Sequence, residues 1–303
     1  MTTASPPLSK VRSFMFVGLA CVWFGEMLFM GFPSLSRVWT AQWQVVPPED
    51  PQLLTALFVM WASAAPAKGA LLVLAVAGLL SSRPSVRTAL YASMALVPPL
   101  NLAFPFRQQG FLLRPVMIAT VLSTMLWGSF LLFRERTMET EEDSGDAREQ
   151  PPSAREIAQY IWFGVYSAAL TLMAVLLIFQ PRRALNLVLP CLSSTFGAHE
   201  REVSSLMHTG MASGTHLLAL AVACWIATAR SRSNPALRNA VALAGTVHSG
   251  LFLVFPLTQI GLEFGTRCAT ASVLAVSVPF LAGWLLYAAV SYRGGTHLVP
   301  VHP

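Results

Sequence analysis

Long apolar runs separated by short polar segments dominate the pattern of this chain. Eight of them are long and apolar enough to predict membrane-crossing helices, each of which needs about 20 residues. They cover approximately residues 11–32, 53–80, 88–106, 112–133, 157–180, 205–228, 238–258 and 268–291. The pattern therefore predicts an all-α, polytopic integral membrane bundle of about eight helices. Lys10 and Arg12 precede the first run, and no small-x-small cleavage site follows it, so we expect a signal anchor.

A charged segment interrupts the apolar pattern at the middle of the chain. Residues 134–156 lack a sustained apolar period, contain Pro151-Pro152 and hold eight of the 14 acidic residues. Such a composition is typical of a solvated, flexible linker. The predicted organisation is a four-helix membrane unit over 1–133, a cytoplasmic linker over 134–156, and a second four-helix unit with a short tail over 157–303.

The two units contain similar short motifs in the same order, which predicts an internal duplication. Four helices return the chain to its starting side, so both units would have the same direction, as in parallel-repeat transporters. The paired motifs are LLVLAVA and LLALAVA at 71–77 and 217–223, PSVRTAL and PALRNAV at 84–90 and 235–241, and LNLAFPF and LFLVFPL at 100–106 and 251–257.

Composition narrows the class of protein. Of 303 residues, 54% are hydrophobic and only 11% are charged, against roughly 25% charged residues in soluble domains. The net charge of +6 comes without a lysine-rich run, zinc-ligand spacing or a phosphate-binding glycine loop, so we expect no nucleic acid partner. With the N-terminus inside, twelve of the 20 Lys and Arg residues fall on the inner face and seven on the outer face. This bias predicts that both termini are cytoplasmic, in a cell (inner) membrane.

Ionisable residues inside the apolar runs are the candidates for chemistry, because each is costly in hydrocarbon. Position along the runs places one group, Glu26, His208 and Glu263, in the outer half, and another, Lys68, His216 and His248, near the midplane. From these residues and the polar positions of the sixth run we predict two sets. The predicted catalytic residues are Glu26, His208, His216 and His248; the predicted substrate-binding residues are Lys68, Ser213, Thr215 and Glu263.

The sixth run reads HTGMASGTH from His208, with small or polar residues where lipid-facing leucines would be expected. Gly210 and Gly214 form a GxxxG pattern that permits close approach of another helix. His208 and His216 are eight residues apart, about 12 Å along a helix, so one metal ion could not readily take both. In the seventh run, Ser249-Gly250 follows His248 and predicts a bend. No metal and no cofactor is predicted; haem ligation by His216 and His248 is the alternative.

Four classes of function fit these patterns, the last of them a haem or quinone redox subunit. The first is an intramembrane enzyme that uses acid–base chemistry, such as isomerisation or cyclisation, on a lipophilic small molecule. The second is a transporter or permease for a small molecule, and the third is a non-catalytic membrane subunit. The site hypothesis is that His208, His216 and His248 line one polar pocket with Glu26 near its outer mouth. The expected partners are the lipid bilayer and a small hydrophobic molecule; the oligomeric state is left open.

Overall fold

The computed structural model describes residues 6–32, 51–97, 100, 153–188, 190, 200–229, 234–263 and 267–292. In this part of the chain the regular structure is entirely helical. The helices, numbered here in chain order, are α1 (Pro6–Gly31), α2 (Pro51–Leu80), α3 (Pro84–Met94), α4 (Ala154–Phe179), α5 (Pro181–Val188), α6 (Glu200–Ala229), α7 (Pro235–Glu263) and α8 (Arg267–Tyr292).

Local signals in the sequence explain where several helices begin. Pro84 is the first residue of α3 and Pro235 the first of α7; proline suits this position because its missing N–H has no partner there anyway. Ser153 and Glu156 form a capping box at α4, in which each side chain accepts a hydrogen bond from the other residue's backbone N–H. At α7 the Asn234 side chain accepts from the N–H of Leu237. It also donates to Ser85 Oγ at 2.7 Å, which ties α7 to α3.

Five described helices contain segments long and apolar enough to cross a membrane. These segments are Met60–Leu80, Glu156–Phe179, Thr209–Ala229, Pro235–Leu257 and Ala271–Ser291. A shorter apolar segment of α1, Phe16–Gly31, accompanies them. The prediction of a helical integral membrane protein is confirmed at this level.

The finer prediction of eight spans in two repeats is not established. The third predicted run is described as a helix only through Pro84–Met94, with isolated residues beyond it. The fourth run and residues 134–152 of the linker lie outside the described residues. The division of the chain into two membrane units therefore stays a prediction.

Helices α2 and α6 form the centre of the bundle. Helix α1 packs along α2, α4 packs along α6, and α2 also contacts both α6 and α7. Helix α8 lies further out against α7 and α4, and its Leu285 and Leu286 are exposed, as expected of a lipid-facing surface. Residues on α2 and α6 are consequently the ones that the bundle encloses most completely.

Small residues bring α6 close to α4, as the GxxxG pattern predicts. A Cβ atom at Gly214 would lie 3.0 Å from the carbonyl oxygen of Ala174 and 2.9 Å from Ile178 Cγ1. At Gly210 the nearest α4 atom, in Leu177, would be 3.4 Å away. The close approach at Gly214 thus depends on the absence of a side chain.

Candidate functional site

A lysine lies at the centre of the most polar cluster in the described membrane segments. Lys68, on α2, is 3% exposed and 8 residues into the apolar segment that begins at Met60. An unpaired ammonium at this depth would cost several kcal/mol. Its Nζ donates to the carboxylate oxygen Oε2 of Glu26 on α1 and lies 3.1 Å from Nε2 of His216 on α6. Lys68 therefore joins three helices through one charged group; we call Glu26, Lys68 and His216 the triad.

The surroundings of His216 fix which of its ring nitrogens carries the proton. Nδ1 lies 2.6 Å from the carbonyl oxygen of Ala212, one turn earlier on α6. A carbonyl only accepts, so Nδ1 must be the protonated nitrogen. In the neutral ring Nε2 is then an acceptor, and it faces the Lys68 ammonium. His216 is thus held as a neutral base, and the lone pair on its Nε2 accepts a hydrogen bond from Lys68.

Glu26 is the least buried member of the triad. Its side chain is 24% exposed, whereas those of Lys68 and His216 are 4% and 5% exposed. Val22 precedes Glu26 by one helical turn, lies on the same face of α1, and is exposed. An exposed apolar position on a membrane helix is typical of contact with lipid, so Glu26 lies next to a position of α1 that suits lipid contact.

The sequence-based depths separated residues that the structure brings together. Position along the runs placed Glu26 in the outer half and Lys68 and His216 near the midplane, yet the three side chains are in contact. His216 Nε2 is also only 4.0 Å from Glu26 Oε2. The depths were counted by the position of each Cα along its run, whereas the contacts are made by the ends of the side chains, and a long side chain can place its charge at a different depth from its Cα.

A second polar contact lies between α4 and α7. Nδ1 of His248 is 2.8 Å from the hydroxyl oxygen of Tyr166, and both residues are buried. We call them the dyad. His248 therefore contacts Tyr166, whereas His216 contacts Lys68. The single pocket shared by three histidines stays a prediction, since the described hydrogen bonds of His216 and His248 go to different helices.

The remaining predicted site residues have the following places. Ser213 donates to the carbonyl oxygen of Thr209 at 2.7 Å, and Thr215 donates to that of Ala212 at 2.8 Å. Both hydroxyl protons are thus used within α6, and a ligand could meet only the oxygen lone pairs. His208 lies on α6 and Glu263 ends α7, but their side chains are outside the described residues. The roles of these four residues remain predictions.

Sequence reasoning did not identify Tyr166 or the direct pairing of Lys68 with Glu26. A tyrosine among the apolar residues of α4 could have been noticed, because a buried phenol normally finds a hydrogen-bond partner. Trp61 was also missed: its indole N–H donates to Thr209 Oγ1 at 2.9 Å and links α2 to α6.

Metal and haem ligation can be compared with this geometry. Among the described residues, no three His, Cys, Asp or Glu side chains are grouped so that they could hold a metal ion. Haem ligation through His216 Nε2 would require Lys68 to be displaced, since both ring nitrogens are within hydrogen-bond distance of protein atoms. The haem alternative stays a prediction.

Comparisons with known proteins give no relative from which to transfer a function. No family model, curated protein or solved structure matches the chain.

Proposed function

We propose that the protein is an intramembrane enzyme that carries out acid–base chemistry on a lipophilic small molecule entering from the bilayer. The observation that carries the proposal is the triad: an ammonium, a carboxylate and a neutral imidazole in direct contact within apolar helices, with the Glu26 side chain partly exposed. Ionisable groups within membrane segments are costly and mark functional sites by default. A partly exposed carboxylate next to the exposed Val22 suits a substrate that is dissolved in lipid.

The triad has the parts that an isomerisation needs, namely a proton acceptor beside a proton donor. The Glu26 carboxylate would take a proton as a substrate C–H bond breaks, and the Lys68 ammonium would give a proton to the atom that gains one. Glu26 is then a carboxylic acid and Lys68 a neutral amine. Because the two groups are hydrogen-bonded, transfer of one proton from Glu26 to Lys68 restores the starting state. Protons balance without a cofactor.

Loss of the triad's charge should remove this chemistry without removing the protein. We expect Glu26→Gln and Lys68→Met to reach the membrane fraction yet to lack the activity. Mass spectrometry of lipid extracts from cells that express each variant provides the measurement: a molecule formed only with the wild type should disappear, and its precursor should accumulate.

A matched control is Gln159→Met, which removes another buried polar residue, one whose amide donates to Ser291 Oγ at 2.9 Å outside the triad. Its extract should resemble that of the wild type. The wild type and the triad variants could instead give identical extracts at equal protein levels. That result would contradict the proposal of an enzyme and favour a non-catalytic subunit.

A permease is the second candidate, and it would be favoured if the chain is duplicated as proposed. Helices α1 and α4 both have 26 residues, and α2 and α6 both have 30. Equal lengths at corresponding places support the proposed duplication, an arrangement that parallel-repeat transporters share. The proposed topology, with residues 134–156 and both termini in the cytoplasm, is common to both candidates.

The proposed duplication also gives the triad a counterpart. The equal starts of α1 and α4 pair Glu26 with Ala174, and the LLVLAVA motif pairs Lys68 with Gly214. Ala174 and Gly214 are themselves in close contact. The second unit would thus have a tight apolar contact where the first has an ion pair.

Proton flux separates the two candidates. Liposomes that contain the purified protein and a trapped pH-sensitive dye would report the decay of an imposed pH gradient. A proton-coupled permease should accelerate the decay with its substrate present in an added cell extract, and Glu26→Gln should abolish the acceleration. The enzyme proposal expects the same slow decay for both proteins.

A further inference from the structure

The dyad contains a buried nitrogen atom without a described hydrogen bond. Nε2 of His248 is shielded from solvent, and none of the residues that the structure describes is a hydrogen-bond partner for it. The histidine is 8% exposed, and its other nitrogen, Nδ1, is 2.8 Å from Tyr166. Leaving such a group unsatisfied costs about 1–3 kcal/mol. A histidine kept under these conditions points to a partner that the protein itself does not supply.

The chemistry of the dyad limits what that partner can be. A phenol can donate to Nδ1 or accept from it, so Nε2 is a donor in one arrangement and an acceptor in the other. A hydroxyl group can satisfy both arrangements, because it too donates and accepts. A carbonyl could only accept, and an ammonium could only donate. A hydroxyl group, of an alcohol or of water, therefore matches Nε2 in either state of the dyad.

The surroundings of the dyad favour an apolar body attached to that hydroxyl. Phe252 stacks on the His248 ring, with the ring centroids 6.0 Å apart and the planes at 21°. Phe280 and Trp284 of α8 pack edge-on against Tyr166 at 5.3 and 5.0 Å. Aromatic faces and edges accept a hydrocarbon ring readily and offer little to a charged ligand without a counter-ion.

We propose that Tyr166 and His248 form a second site, separate from the triad, that binds the hydroxyl group of a neutral lipophilic alcohol through His248 Nε2. This proposal rests on the proposed function in one respect, namely the assumption that the bound molecule is lipophilic. Its own evidence is the unpartnered nitrogen and the aromatic surroundings. In this site Tyr166 is a positioning residue, because it holds the imidazole and sets which proton Nε2 offers.

Phenol and toluene provide a matched pair of probes, since they have the same shape and differ in a hydroxyl against a methyl group. The full-length protein, labelled with ¹⁵N-histidine and placed in lipid nanodiscs, would be titrated with each. Phenol should shift the Nε2 resonance of His248, and toluene should not. His248→Phe identifies this resonance among the six histidines and should weaken phenol binding about tenfold while leaving toluene binding unchanged.

Several results would overturn the proposal. One is an Nε2 resonance that does not respond to phenol; another is an equal response to both probes, which would show that the hydroxyl is not recognised. A resonance already typical of a hydrogen bond and unchanged by phenol would indicate a trapped water molecule. If His248→Phe does not fold, the wild-type titration with the two probes still decides. Lys68→Met should keep the phenol response, so failure at the triad and failure at the dyad are distinguishable.

Discussion

At the scale of single residues, Lys68 holds the polar centre of the bundle together. It contacts both other members of the triad, and its burial leaves it dependent on them. A buried ion pair adds little net stability, but removal of one partner leaves the other charge uncompensated. The stability of the triad should therefore depend on its charge balance more than on any one side chain.

Lys68→Met should destabilise the protein by about 3 kcal/mol, because the Glu26 carboxylate loses its counter-ion in a largely apolar environment. Thermal unfolding in detergent, followed by far-UV circular dichroism, measures the change. The double variant Glu26→Gln/Lys68→Met removes both charges and should recover most of the loss. A double variant that is less stable than Lys68→Met would contradict the account.

The sequence identified the members of the triad but not their contacts. Glu26, Lys68 and His216 stand out because they are ionisable residues within apolar runs, and that signal needs no structure. Their pairing could not be predicted, because helices such as α1 and α2 are apolar on every face and have no amphipathic stripe to indicate which face turns inward. The reach of a long side chain adds a second uncertainty, because its charged end can lie at a different depth from its Cα.

At the scale of helices, packing of α6 on α4 depends on Gly214. A side chain there would meet the backbone of Ala174, which cannot move without shifting the helix. The GxxxG pattern predicted a close helix contact but not the partner helix. Two glycines show where another helix can approach closely, and they contain no information about which helix does so.

Gly214→Val should lower the stability of the folded protein by about 2 kcal/mol, since the larger side chain forces α4 and α6 apart. Gly164→Val is the matched control: a Cβ atom at Gly164 of α4 would meet nothing within 4 Å. Comparing the detergent unfolding midpoints of the two variants provides the measurement. Equal midpoints would show that the contact at Gly214 is loose.

At the scale of the whole molecule, the apolar runs predicted the class of protein correctly. In lipid, a helix satisfies the hydrogen bonds of its backbone groups within its own segment. A long apolar run is therefore a strong indication of a membrane-crossing helix. The number of spans and the duplication are harder to predict from the sequence, because they depend on how the runs near residues 88–133 fold. Function is the hardest to predict from the sequence, since helical bundles of this kind support many activities.

The charge bias predicts that the linker over 134–156 is cytoplasmic. In a background without the four native cysteines, Gly145→Cys should resist a membrane-impermeant thiol reagent in intact cells and react after lysis. The reason is that twelve of the cationic residues are assigned to the same side as this linker. Arg37→Cys, on the predicted outer side, should react without lysis. The reverse pattern would invert the topology.

The attachment of Glu26 to a peripheral helix has a mechanical consequence. Helix α1 packs mainly on α2, so among the triad only the carboxylate could swing away with an outer element while Lys68 and His216 remain in place. Such a displacement would strand two opposite charges in hydrocarbon, and the ion pair therefore acts as a latch. In the proposed reaction Glu26 gains a proton and Lys68 loses one, so both groups are neutral while the product is bound and the latch is released. The return of one proton from Glu26 to Lys68 would close it again after a lipid-soluble product has left.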